Sequence, residues 1–329
     1  MVEQQRKDVP MIKTKMTELL GIQYPILMGA MAWITTAGLT AAVSNAGGAG
    51  VLGAGGRDEE WVRQEIRKTK TLTDKPFGIN LSLQTTPLRD KLVEVILAEG
   101  IDFVTLGAGD PRPFLPRFRE AGIKTICIVP NTKLAKRMEA CGADMLVIEG
   151  MESGGRIGNL TTMALMTNIL PEVSLPVAAA GGIVDGRGLA AALIMGADGV
   201  QMGSRFLLAS ECESHPSNAQ AIVAASDTDS VTIGWSRGKG LRGLKNPFAE
   251  EYLSMEVSGV PTETLGQYVN GCSKRVADLG TGEDGKNGIV QVGESLEPLK
   301  KIQPTAEIIR EVMEEAETLL KRAPRFVTE

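Results

Sequence analysis

The chain has 329 residues, 43% hydrophobic and 23% charged, with 38 glycines and a formal net charge of -5; this excludes a fibrous or disordered chain and leaves ample material for a large α/β core. The acidic balance argues against general attraction to nucleic acid or to an anionic membrane, so small molecules are the expected partners. Cys127, Cys141, Cys212 and Cys272 form no CxxC pair and His215 is the single histidine, which excludes a zinc site of ordinary spacing and predicts no metal, while the polar first residues and the lack of a long apolar run predict a cytoplasmic protein without a membrane span.

In chain order, short apolar runs ending in Gly, Asn or Pro recur: YPILMGA from Tyr24, GAGVLGAGG from Gly48, PFGINLSL from Pro76, FVTLGAGDP from Phe103, TICIVPN from Thr125, MLVIEGMESGG from Met145, PVAAAGGI from Pro176 and GVQMGSRF from Gly199. Stretches with helical periodicity separate them. Pro87 to Glu99 carries Leu88, Leu92, Val95 and Ile96 on one face, and Thr132 to Cys141 is closed by Gly142 as a C-terminal cap. Eight such units predict a (β/α)8 TIM barrel over residues 1–208, with a doubly wound open sheet as the alternative. From 209 to 286 no strand alternation is apparent, so a mostly helical lid is expected there. A return segment over 287–329 then ends in a helix opened by Pro304 and Thr305, with Ile308, Ile309, Val312, Met313, Ala316, Leu319 and Leu320 on its apolar face.

Chemistry in a barrel belongs at the carboxyl ends of the strands. The seventh and eighth runs end in AAAGGI and GVQMGSRF, where small residues let backbone N–H groups close on an anion, and phosphate sites in barrels form from those two loops. The other strand ends offer no Ser/His/Asp set, no Cys/His pair, no paired carboxylates and no lysine. A cofactor that brings its own reactivity, such as FMN, fits that pattern.

The ordered set TELLGIQYPILMGAMAW, LTDKPFGINL, VTLGAGDP, LAKRMEACGAD, EGMESGGRIG, AAAGGIVDG and GVQMGSRF resembles the FMN-dependent enoyl-ACP reductases and, more broadly, the nitronate monooxygenase family. The resemblance implies a TIM barrel with a helical lid, FMN at the barrel mouth, NAD(P)H as reductant, an acyl-carrier or CoA thioester as substrate, and a homodimer. It implies an FMN phosphate on Gly181, Gly182, Gly203 and Ser204, beside Ala180 and Gln201. It further implies an isoalloxazine ring against Gly29, Ala30 and Met31, hydrogen bonds from Asn80 and Glu149, and a ribityl path along Ser153 and Gly154.

The chain departs from the family pattern in places. Met28 and Ala30 stand in a first strand that usually reads PIxQGGM, Arg156 replaces the histidine of GGH, and VGES at Val292 to Ser295 stands for AGQS. That histidine is the base of nitroalkane oxidation in the family, and arginine stays protonated and cannot replace it. Arg156 can instead steady charge on a thioester oxygen, as the one expected catalytic residue. Arg237, Lys239, Arg242 and Lys245 stand close in the lid sequence and are expected either to bind the phosphates of NAD(P)H or a pantetheine carrier, or to form a solvated face. The function expected is an FMN-dependent NAD(P)H oxidoreductase acting on an activated C=C bond, most simply an enoyl thioester. The alternatives are a nitronate monooxygenase or quinone reductase with an altered proton relay, and a non-catalytic flavin- or carrier-binding barrel that works as an assembly partner.

Overall fold

The computed structural model describes residues 12–83 and 88–326; the polar stretch at the start of the chain, the expected helix start at Pro87 and the last three residues lie outside the described residues. In chain order the elements are α1 (Lys15–Leu20), β1 (Ile26–Met28), α2 (Ala37–Asn45), β2 (Gly50–Gly53), α3 (Glu59–Leu72), β3 (Phe77–Ser82), α4 (Arg89–Glu99), β4 (Phe103–Gly107), α5 (Leu115–Glu120), β5 (Lys124–Val129), α6 (Thr132–Ala140), β6 (Met145–Glu149), β7 (Gly155–Arg156), α7 (Thr162–Ile169), β8 (Val177–Ala180), α8 (Gly186–Ile194) and β9 (Gly199–Met202). After β9 come α9 (Pro216–Ala224), β10 (Ser230–Ile233), β11 (Leu241–Leu244), α10 (Pro247–Val257), α11 (Thr262–Tyr268), α12 (Cys272–Leu279) and α13 (Thr305–Arg322).

Eight strands form one parallel sheet in the order β1-β9-β8-β6-β5-β4-β3-β2. A parallel bridge between Leu27 and Ala49, with the Met28 N–H donating to the Ala49 carbonyl at 2.9 Å, joins its two edges. The sheet is thereby the predicted TIM barrel. Its strands are buried on both faces, which is why they read as continuous apolar runs. Along β6, Met145 and Val147 pack inward with Leu27, Val51, Phe103 and Ala178, whereas Leu146 and Ile148 pack outward against helical residues such as Leu165 and Ile169.

A short repeat sets the amino ends of the strands. Gly-Ile-Asp at 100–102, Gly-Ala-Asp at 142–144 and Gly-Ala-Asp at 196–198 each place a glycine of positive φ (66°, 83° and 102°) at the end of a helix. Each aspartate then accepts an N–H at the start of the preceding strand: Asp102 from Phe77 at 3.0 Å, Asp144 from Thr125 at 2.8 Å and Asp198 from Val177 at 3.1 Å. The floor of the barrel is plugged by α1, whose Met16 and Leu20 belong to the inner cluster. A Cβ on Gly199 would lie 2.5 Å from the Met16 sulfur, so a glycine is required opposite the plug.

The insertion is mostly helical, as expected, with α9 to α12, and it also carries two strands. β10 and β11 form an antiparallel hairpin, and β11 pairs with β7 in the loop after β6, setting Leu241 opposite Arg156 and Arg242 opposite Gly155. The third strand lies far upstream in the chain, so no local alternation reveals the sheet. The helices of this region pack on a core of their own that includes Ile233, Phe248, Tyr252 and Leu265, with Phe248 stacked on Tyr268 at 4.6 Å between ring centroids. The closing helix α13 packs on α8, where Gly186 has no Cβ to strike Ala316 N and Val312 O, both 2.5 Å from its ideal position.

Met16 is fully buried. Met16→Ala is expected to lower the stability by about 3 kcal/mol through lost transfer free energy and the cavity left behind. Urea denaturation should show a lower midpoint at an unchanged m-value, and an unchanged midpoint would mean that α1 is not part of the core.

Candidate functional site

A cavity of about 730 Å³ opens at the carboxyl ends of the barrel strands. Its floor and walls bring together Gly29, Ala30 and Met31 after β1, Asn80 on β3, and Glu149 at the end of β6. Ser153 and Gly154 follow in the β6–β7 loop. Ala180, Gly181 and Gly182 come from the end of β8, with Gln201, Gly203 and Ser204 from the end of β9. Arg156 and Arg237 also line it, whereas Lys239, Arg242 and Lys245 are not among its lining residues. The four basic residues that stand together in the sequence are therefore separated in space.

Arg242 has a different occupation. Its side chain is 7% exposed, its Nη1 lies 2.8 Å from the Glu294 carboxylate and 2.7 Å from Ser230 Oγ, and its Nε donates to the Met151 carbonyl at 3.0 Å. It ties the hairpin to the β6–β7 loop and to the segment that reads VGES. Lys245 is exposed and pairs with Glu250 at 3.6 Å.

The loops after β8 and β9 have the geometry of an anion cradle. Gly181 and Gly182 take φ of 100° and 71°, conformations that other residues adopt only under strain. A Cβ on Gly203 would meet nothing within 4 Å, so the backbone there faces open space. The cradle is braced from behind: Thr162 Oγ1 donates to the Gly181 carbonyl at 2.9 Å and lies 3.0 Å from the Glu152 carboxylate, which also accepts the Thr162 N–H at 3.0 Å. The VGES segment closes over it, with the Gly293 N–H donating to Ser204 Oγ at 2.9 Å and Ser295 Oγ donating to the Gly182 carbonyl at 2.8 Å. A Cβ on Gly154 would fall 2.7 Å from the Val292 backbone, so these loops meet main chain to main chain.

Three polar groups stand on the wall. The Asn80 amide is held by Thr105, to whose Oγ1 it donates at 2.8 Å. The Ser153 hydroxyl is buried and has no hydrogen-bond partner among the described residues, a condition a ligand hydroxyl would relieve. Burial pushes the Glu149 carboxyl up to about 7, opposed only by the nearby Ser153 hydroxyl, which lies outside hydrogen-bond geometry. These features fit a phosphorylated, planar, hydroxyl-bearing cofactor: a glycine cradle for the phosphate, polar wall groups along the chain, and a flat Gly29–Met31 edge. Among the described residues no group of three or more His, Cys, Asp or Glu side chains is placed to hold a metal ion.

The chain was then compared with known proteins. The family model described as nitronate monooxygenase matches residues 13–92 and 86–315. The chain belongs to this family. FabK from Thermotoga maritima superposes with a TM-score of 0.92 at 39% identity over 96% of this chain and 100% of that one. The nitroalkane oxidase of Streptomyces ansochromogenes superposes with a TM-score of 0.81 at 25% identity, over 93% and 99%. A probable nitronate monooxygenase of Staphylococcus saprophyticus is 30% identical over 83% of this chain and 90% of its own. A 5-hydroxy-7a-methyl-1-oxo-octahydroindene-4-carboxyl-CoA dehydrogenase of Mycobacterium tuberculosis is 39% identical over 203 residues, 61% of this chain; the match spans only 57% of that relative's length. The nitronate monooxygenase family fold is thus that of FMN-binding oxidoreductases, and this homology supports an enzymatic, flavin-binding role.

Trp33 and the lid residues Asn270, Cys272 and Val276 escape the sequence reading. Trp33 and Ala108 are the non-glycine residues of positive φ among the described residues, at 70° and 50°, and both line the cavity. Backbone strain of this kind gathers at functional sites. The Trp33 indole lies on Gly56, where a Cβ would come within 2.3 Å of it, and Arg57 stacks between Trp33 and Trp61 at 4.4 and 4.2 Å. Asn270, Cys272 and Val276 bring the lid into the wall, and Gly293 and Ser295 bring the return segment. His215 lies outside the main cavity and caps α9, its Nδ1 accepting the Ser217 N–H at 3.3 Å. No helix among the described residues is long and apolar enough to cross a membrane.

The Glu149 carboxyl has a definite pH signature. Its folded value near 7 lies above the ordinary 4.5, so the folded chain holds more protons than the unfolded one in that window. Stability therefore falls as pH rises from about 4.5 through about 7, by up to about 3 kcal/mol. In FMN-free protein, Glu149→Gln should remove this decline and be relatively more stable at pH 8 than at pH 5; urea melts of the two proteins that run parallel across pH would show that the carboxyl is ordinary.

Proposed function

We propose that the protein is an FMN-dependent NAD(P)H oxidoreductase that reduces an activated C=C bond, most simply that of an enoyl thioester. The observation that carries it is Arg156: it lines the cavity at the end of β7, in the place of the family's histidine base, and makes no ion pair with a described carboxylate. A guanidinium cannot take a proton from a nitroalkane, but its planar donors suit an oxygen on which charge builds. Further support is the similarity to FabK, at 39% identity over nearly the whole chain, against 25% for the nitroalkane oxidase structure. The dehydrogenase relatives, named for a carboxyl-CoA substrate, are consistent with a thioester substrate.

In this proposal Gly181, Gly182, Gly203 and Ser204, with Ala180 and Gln201 beside them, hold the FMN phosphate through main-chain N–H groups. Ser153 and Gly154 line the ribityl chain, Asn80 and Glu149 hydrogen-bond the cofactor, and Gly29, Ala30 and Met31 lie against the ring. Bound FMN supplies hydride transfer between NAD(P)H and the substrate. Arg156 orients the thioester by donating to its oxygen and steadies the negative charge that develops there. The overall change consumes one enoyl thioester, one NAD(P)H and one proton, and yields the saturated thioester and NAD(P)+. The homodimeric, cytoplasmic state belongs to the same proposal.

The purified protein should be yellow, and anaerobic NADH or NADPH should bleach it. Crotonyl-CoA should restore the colour faster than a quinone does, and a nitronate, an electron donor to flavin, should not bleach the oxidised protein. Arg156→His should gain nitronate oxidation while losing at least about ten-fold in thioester reduction, as expected for removing an oxyanion donor. Protein that stays colourless with added FMN, or an oxidised form that a nitronate bleaches while crotonyl-CoA fails to reoxidise the NAD(P)H-reduced one, would refute the proposal.

A further inference from the structure

Two guanidiniums face one cavity without a carboxylate to answer them. Arg156 ends β7, and Arg237 sits in the turn Trp235–Arg237 at the tip of the β10–β11 hairpin. The register of Leu241 opposite Arg156, and the hydrogen bond from Ile157 N–H to the Gly240 carbonyl at 3.1 Å, fold that tip back towards β7. Arg237 then runs along α11: an ideal Cβ on Gly266 would lie 3.1 Å from its Nη2, so glycine leaves the space that the guanidinium uses.

Several other partly buried arginines are satisfied from within. Arg63 pairs with Glu99 at 2.8 Å, Arg242 with Glu294 at 2.8 Å, Arg205 donates to the Lys301 carbonyl at 3.3 Å, and Arg275 donates to the Asn287 carbonyl at 2.9 Å. Among the described residues neither Arg156 nor Arg237 has an ion pair; the side-chain neighbour of Arg237 is the neutral Tyr252 hydroxyl. The two charges also oppose each other: burial first, and the Arg237 charge second, lower the proton affinity of Arg156. The nearby carboxylates do not compensate. Glu152 lines the cavity but is turned to Thr162 and forms no ion pair with Arg156 or Arg237, and burial favours the neutral form of Glu149.

A neutral thioester carbonyl accepts a hydrogen bond but brings no charge, so it leaves this excess unanswered. A planar, forked donor matches phosphoryl oxygens, and an oxyanion bound at Arg237 offsets the repulsion between the two charges. We propose that the lid hairpin carries a phosphate subsite centred on Arg237, to which the Arg156 charge adds, and that it binds the phosphoryl group of a substrate occupying the cavity. The identity of that substrate rests on the function proposed above, which offers two sources: the pantetheine phosphate of a carrier or CoA thioester, and the diphosphate of the nicotinamide dinucleotide. Lys239 and Lys245, grouped with Arg237 by sequence, have no part in it.

The test is calorimetric binding to FMN-loaded protein of pantetheine 4′-phosphate, ADP-ribose and unphosphorylated pantetheine. Arg237→Gln should weaken at least one phosphorylated probe ten-fold or more while leaving pantetheine binding and FMN affinity unchanged, and Arg237→Lys should recover part of the loss. Wild-type affinity for that probe should fall with added salt, and the variant's should fall less steeply. Loss confined to pantetheine 4′-phosphate assigns the subsite to the thioester, loss confined to ADP-ribose assigns it to the reductant, and loss of both makes it shared. Unchanged binding of both phosphorylated probes, an equal loss for pantetheine, or a loss of FMN affinity would overturn the subsite. Because no turnover is measured, a protein that fails to reduce thioesters can still pass or fail here.

Discussion

Closure of the parallel sheet governs the molecule. Once β1 pairs with β9 and Leu27 bridges to Ala49, each βα connection from the barrel leaves by the same rim. The loops that carry Met31, Asn80, Glu149, Gly182 and Gly203 then converge on one cavity although they are scattered through the chain. The opposite rim is spent on stability. There the three Gly-x-Asp segments satisfy strand N–H groups and Met16 fills the floor. Rigid elements set below a mouth of loops are the arrangement by which this fold separates folding from chemistry.

The mouth itself is short of titratable groups and rich in main chain. Its cradle is built where Cβ atoms are missing; behind it Thr162 holds the Gly181 carbonyl, and Glu152, which lines the cavity, is held by Thr162. Such a site recognises shape and phosphate well and performs little acid–base chemistry by itself. That is the physical reason for assigning reactivity to a bound cofactor, with Arg156 left to manage charge.

Much of this was legible in the sequence. The apolar runs are continuous because barrel strands are buried twice, and the small residues at Gly181, Gly182 and Gly203 announce a close backbone approach, so fold and cradle could be read before any coordinates. The Gly-x-Asp repeat was equally legible and went unread, since its meaning lies in a hydrogen bond to the neighbouring strand. Other features were hidden for better reasons. Arg242 and Glu294 look like an exposed charge and a departure from the family pattern, and only the fold shows that they meet. The three-stranded sheet draws β7 from one part of the chain and its hairpin from another, a non-local pairing that periodicity cannot detect. Trp33 and Ala108 carry no pattern that foretells a left-handed backbone.

The way the insertion is attached has a mechanical consequence. Its hairpin shares a sheet with β7, Arg242 crosses to both Met151 and Glu294, and the adjoining Gly293 and Ser295 are bonded to Ser204 and Gly182. The cap is therefore stitched to the very loops that would grip the phosphate, and it has no free hinge on that side. Any outward swing large enough to admit a bulky molecule must either tear these seams or pull the anion grip apart with them, so traffic through the mouth and retention of the cofactor are mechanically one property.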